Sequence, residues 1–145
     1  STISDLNIGK QRYLGYLKGL EHEGIPVNKN LIVNIFEKDY KKYEDILSPI
    51  FKKNKIDSVL TTGESSAVAA MKTAIKIGHK VPLNFSVIAF SNGILARHSS
   101  PKMTTVSQHG ELMGETATEM LIQQLENKDE KRKFKIKIIK INFFT

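Results

Sequence analysis

Apolar side chains recur along this chain with two alternating periods. Within residues 8–23 they fall at Tyr13, Tyr16, Leu17 and Leu20, one face of a helix, which Gly24-Ile25-Pro26 then stops. Leu31 to Phe36 is a short, β-branched run that predicts a buried strand. Tyr40 to Lys53 returns to helical spacing through Tyr43, Ile46, Leu47, Ile50 and Phe51, with a kink or an early end expected at Pro49. Asp57 to Thr62 predicts a strand, and Ser65 to Ile77 a helix with Val68, Met71 and Ile75 turned inward. Gly78 and Pro82 close that helix, and Phe85 to Phe90 predicts the next strand. Strand, helix, strand, helix, strand with short loops means βαβ units, hence an open parallel sheet flanked by helices.

Beyond Phe90 the pattern changes. Ser91 to Pro101 reads as a loop holding one helical turn at most, and Met103 to Val106 as a very short strand. Gly110 to Asn127 predicts a long helix with Leu112, Met113, Ala117, Met120, Leu121 and Leu125 on one side. Phe134 to Phe144 alternates apolar residues with Lys and predicts a final strand.

Composition narrows the class. With 145 residues, 40% hydrophobic and 26% charged, the chain suits one folded domain of ordinary size. No cysteine is present, so disulfide scaffolds, Cys-based zinc sites and thiol nucleophiles are excluded, in keeping with a reducing compartment. No stretch approaches the apolar length of a membrane span, and Ser1 to Asp5 resembles neither a signal nor a transit peptide. The net charge of +7 is concentrated rather than spread. Residues 128–140 hold seven Lys or Arg against Asp129 and Glu130, leaving only two net charges for the rest. That pattern fits a solvated, edge-protected strand better than a nucleic-acid face.

Candidate chemistry is sparse. Gly63-Glu64-Ser65-Ser66-Ala67 lies between strand and helix, where a nucleophile elbow would lie, and His98 and His109 follow in the order of a hydrolase triad. Ala67 replaces the second glycine of that motif, however, and Glu64 and Ser65 are explained as caps of the helix they open. The four histidines (His22, His79, His98, His109) have no metal-ligand spacing, and no dinucleotide or phosphate loop occurs, so no metal, no cofactor and no catalytic residue is expected. Open parallel sheets instead bind ligands beyond the carboxyl ends of their strands. Those ends are Phe36-Glu37, Thr62-Gly63-Glu64 and Ser91-Asn92-Gly93.

Several segments together resemble the effector-binding domain of the lactose/galactose repressor (LacI/GalR) family of transcription regulators. Arg12-Tyr13-Leu14-Gly15-Tyr16 matches R-x-x-G-[YFW]. Gly78 to Phe90 resembles G-x-x-V-P-x-D-[IV]-S-V-[IV]-G-[FY]. Pro101 to Gln108 matches P-x-L-T-T-[VI]-x-Q, and Met113 to Ala117 continues as [LM]-G-x-x-A. The resemblance implies one lobe of a two-lobed, periplasmic-binding-protein-like (type I) fold. Residues 1–108 would form the second lobe, 109–127 a helix that belongs to the first lobe, and 128–145 a return strand to the second. The DNA-binding headpiece and most of the first lobe would be absent from this chain. It implies a cytoplasmic, non-enzymatic sensor that binds a small, sugar-like effector between lobes, meets DNA only through that headpiece, and forms a homodimer.

Carried over position by position, the resemblance assigns effector contact to Arg12, Phe36, Gly63, Glu64, Ser91 and Gln108. It assigns a dimer interface to Val68, Met71, Lys72, Ile75 and Leu95. Ser91 falls where the family usually has an aspartate, Gly63-Glu64 where it often has Asn-Asp, and Leu6 and Ile8 where polar residues frequently line the pocket; these departures remove acceptors and put a standard sugar in question. Two other functions remain open: an extracytoplasmic sugar-binding protein of a transport system, and a small Ser hydrolase using Ser65. The long helix from Gly110 carries its own expectation. Its apolar face normally packs on the first lobe, so here it should dock against its own sheet or exchange with a second copy.

Overall fold

The chain is described by a computed structural model over residues 7–35, 40–91, 93–126 and 135–144. In chain order the elements are α1 (Asn7–His22), a 3-10 turn (Lys29–Leu31), α2 (Tyr40–Lys53), β1 (Ser58–Thr61), α3 (Glu64–Lys76), β2 (Ser86–Ala89), α4 (Ile94–Arg97), β3 (Thr104–Ser107), α5 (Gly110–Glu126) and β4 (Asn142–Phe144). The strands stand side by side in the order β1-β2-β3-β4. The first three are parallel, with Leu60 opposite Ile88 and Ile88 opposite Thr104. β4 returns antiparallel to β3, pairing Phe143 with Val106. The result is an open sheet, parallel over three strands and flanked by helices.

Helix ends follow backbone chemistry. α1 and α3 both close in Schellman motifs, with Gly24 at φ +67° and Gly78 at φ +98°. The second is satisfied by His79 N–H donating to Ala74 O and Gly78 N–H to Ile75 O, each at 3.0 Å. α2 runs through Pro49 to Lys53, so the early end expected there does not occur. Pro49 and Asp45, four residues earlier, lie on the exposed side, so the carbonyl that loses its partner faces water.

The core lies between the sheet and α2, α3 and α4. Phe85 is fully buried, its ring 5.0 Å from that of Phe51 and 4.9 Å from that of His79. α3 faces this core with Ala67, Ala70, Met71, Thr73 and Ala74. Met71 is buried and Val68 packs against the core as expected, whereas Ile75 is 44% exposed, so of the expected stripe only Ile75 turns outward. Small side chains let the helix lie close to the sheet, and Thr73 satisfies its buried hydroxyl on Ala69 O at 2.8 Å.

Three further expectations change. Leu31 to Phe36 does not form a strand among the described residues: Leu31 closes a 3-10 turn capped by Asn28, whose Oδ1 accepts from Asn30 N. Ile32 is extended and Ile35 is buried, so the apolar run packs into the core without an assigned ladder. In the final segment only Asn142–Phe144 pairs, because four-residue β3 ends at Ser107, opposite Asn142. Ile136 and Ile138 stay exposed beside Lys135 and Lys137. The remaining change concerns α5. No residue of it is buried and it forms no extended packing with another described element, so the expected docking is not found. It leaves β3 at a sharp corner, His109 at φ +49°, where Ser107 Oγ accepts from His109 N at 3.2 Å and His109 O accepts from Met113 N.

Candidate functional site

Because β1, β2 and β3 are parallel, their carboxyl ends open on one side, and the next residues of each are Thr62-Gly63, Phe90-Ser91 and Gln108. The ladder continues one step past β2, with Phe90 N–H donating to Thr61 O at 3.0 Å. The Thr61 hydroxyl donates to Gly63 O at 3.1 Å, with Ile88 O as a second acceptor at 3.3 Å. These bonds hold the turn into α3 against the end of β2.

Arg12, from the first half of α1, reaches this edge. Its Nη1 donates to Thr62 O at 2.7 Å, and its guanidinium carbon lies 5.1 Å from the centre of the Phe90 ring. Burial pushes the guanidinium pKa down from its ordinary value, because a buried charge loses hydration. The carbonyl and the ring together offset that loss. Gln108 approaches the same residue from β3, its Nε2 donating to Phe90 O at 3.4 Å. Arg12, Gly63, Ser91 and Gln108 are thus brought together around the ends of β1, β2 and β3. Phe36 lies outside the described residues.

Glu64 is turned elsewhere. Its Oε1 accepts from Ala96 N at 2.7 Å, which caps α4 from a different helix. It does not cap its own helix: α3 begins at Gly63 without a side-chain cap. Ser65 does not cap it either and lies exposed, while the Ser66 hydroxyl donates back to Gly63 O at 2.8 Å. No cluster of three metal-ligating side chains occurs among the described residues, and none of their helices is long and apolar enough to cross a membrane.

Of the residues expected at a dimer interface, Met71 belongs to the chain's own core and Val68 is half-buried, whereas Lys72, Ile75 and Leu95 face outward. An open concavity of about 450 Å³ lies at the β3–α5 corner, lined by Arg97, Ser107, His109, Glu111, Leu112 and Glu115 among others. It shares no lining residue with the Arg12 cluster. Arg12 and Gln108, by contrast, both meet Phe90. Thr62 lies at one of the strand ends named from sequence, whereas Phe90 does not. The aromatic ending Ser86-Val87-Ile88-Ala89-Phe90, on the last step of a buried strand, is the signal that marks Phe90.

Comparison with known proteins bears on the fold. Residues 2–140 match the periplasmic binding protein-like domain. The HTH-type transcriptional repressor PurR of Yersinia pestis (strain Pestoides F) is 38% identical over 127 residues, covering 86% of this chain and 36% of the repressor. The chain therefore spans about a third of the length of the curated relatives it matches. Among solved structures, a sugar-binding LacI-family regulator from Escherichia coli complexed with phosphate superposes with a TM-score of 0.80 at 22% identity, over 97% of this chain and 50% of that one. A LacI-family regulator from Enterococcus faecium with bound ribose gives 0.74 at 19% identity, over 92% and 49%. At those identities the structural likeness establishes the fold, and the sequence matches carry the kinship. The chain belongs to the periplasmic binding protein-like domain family.

Proposed function

We propose that this chain is the sensing part of a transcription regulator, holding a small polyhydroxylated effector at the carboxyl ends of β1, β2 and β3. One observation carries the reading: Arg12 is held by Thr62 O and the Phe90 ring at the strand ends, where open α/β sheets bind ligands. A guanidinium has five N–H donors in a rigid plane, and one of them is committed to Thr62. Such a fork suits neighbouring hydroxyls or an acidic group on a sugar derivative. Gly63, Ser91 and Gln108 complete the lining. The ribose bound to the Enterococcus faecium regulator supports a sugar-like ligand.

In this reading residues 1–108 form the second lobe, 109–127 a helix that packs on the first, and 128–145 the return to the second. The unburied α5 and the antiparallel β4 support that division. Effector held between lobes shifts the balance of open and closed states, and so controls a DNA-binding headpiece elsewhere on a cytoplasmic polypeptide. The exposed flank of Lys72, Ile75 and Leu95 pairs two copies about a twofold axis. Calorimetric titration of the two-lobed protein with ribose and other monosaccharides tests the site. Binding weakened about fivefold or more by R12K is expected; binding insensitive to Arg12 overturns the reading.

A further inference from the structure

Gly93 and Glu64 occupy each other's space. A Cβ built on Gly93 would lie 2.6 and 2.7 Å from the two carboxylate oxygens of Glu64, closer than real Cβ contacts occur. The same carboxylate accepts from Ala96 N at 2.7 Å, a bond that crosses 32 positions of sequence. Ala96 is buried in the core against α3, and Ser99 Oγ donates to Ala96 O at 2.9 Å, which fixes the turn at its other end. Gly93 is the N-cap of α4 and has no side chain to satisfy the amides of that first turn. The acceptor those amides need comes from the first residue of α3, and a Cβ at position 93 would push that carboxylate from its place.

We infer that Glu64 is a positioning residue: it latches the turn from Gly93 to Arg97 onto the start of α3, and so sets the place of Ser91, two residues before Gly93, at the strand ends. Glu64 then acts on the effector through the turn, not by touching it. The role of Ser91 rests on the function proposed above; the latch itself can be measured without any effector.

The test uses the full chain and its variants E64A, E64Q, G93A and E64A/G93A. Hydrogen exchange read by NMR should speed up at the Ala96 amide about tenfold or more in E64A, as expected for loss of a charge-assisted bond. E64Q keeps an oxygen acceptor and should restore most of the protection, together with the Ser91 amide resonance that E64A displaces. G93A should lower the thermal midpoint when Glu64 is present and have little effect in the E64A background, because the clash is then gone. Unchanged exchange at Ala96 in E64A, or a G93A penalty of the same size with and without Glu64, overturns the latch. Ribose titration of the two-lobed protein is read separately: no binding there counts against the effector reading and leaves the exchange and coupling results to decide the latch.

Discussion

Arg12 ties α1 to two neighbouring strand ends at once: its Nη1 bonds Thr62 O beyond β1 at 2.7 Å while its charge lies 5.1 Å from the Phe90 ring beyond β2. Nothing else in α1 is anchored so firmly, since Gly9 is its one buried residue. Removing the side chain in R12A should cost about 1–2 kcal/mol of stability, a charged hydrogen bond and a cation–π contact reduced for partial exposure. Urea denaturation measures this. R12K keeps a charge near the ring but loses the planar fork, so effector affinity should fall by ~1–3 kcal/mol with a smaller change in stability.

The core prediction concerns Phe85. It is fully buried between Phe51 and His79, so F85A leaves a cavity that its aromatic neighbours cannot close. A loss of about 3–5 kcal/mol is expected by chemical denaturation, enough to unfold a marginal domain at physiological temperature. F85L should recover more than half of it.

Gly78 gives a prediction with no packing component. Its φ is +98°, and no neighbouring atom lies within 4 Å of where a Cβ would sit. G78A should therefore cost about 1–2 kcal/mol from backbone strain alone. G78N should cost less, because asparagine tolerates left-handed backbone. Equal losses for the two variants would show that strain is not the cause.

The apolar side of α5 makes opposite predictions in two contexts. Leu121 is 56% and Leu125 64% exposed, so L121E/L125E in this chain should change stability by less than about 0.5 kcal/mol per site and reduce binding of a hydrophobic dye. In a protein carrying both lobes the same changes should cost ~1.5–3 kcal/mol each, the scale of burying a leucine. Equal costs in both contexts would mean that the first lobe does not cover this face.

Much of the fold was legible in the sequence, for reasons that particular residues make clear. The bounds of α2 are those read from the spacing, and α3 is displaced by one residue, because amphipathic periods and a C-terminal glycine act locally. The parallel order followed from alternating elements and short loops. What failed depended on tertiary detail. Leu31 to Ile35 has strand composition, but a strand also needs a partner, and burial of Ile35 was achieved without one. Hydrophobicity alone turns Ile75 inward, whereas Ala67, Ala70, Met71 and Ala74 fill the inner face and leave Ile75 at its exposed edge. At the strand ends, Arg12, Ser91 and Gln108 are singled out by the resemblance. Phe90 was overlooked because a strand-end aromatic reads as core until a guanidinium is found above it. Glu64 was read as a local cap, and nothing local could have linked it to Ala96, 32 residues away.

A turn at the His109 corner would be felt very differently at the two ends of α5. Seventeen residues at about 1.5 Å rise make α5 roughly 25 Å long, an arm without extended packing against the other described elements. A swing of about 10° at the corner carries the far end of that arm through roughly 4 Å. Gln108, next to the pivot and bonded to Phe90 O, moves only by a small fraction of that distance. The mechanical gearing runs both ways: a displacement too small to break one hydrogen bond at the strand ends becomes one the width of a side chain at the tip. A load on the tip reaches the strand ends with the leverage of the whole arm.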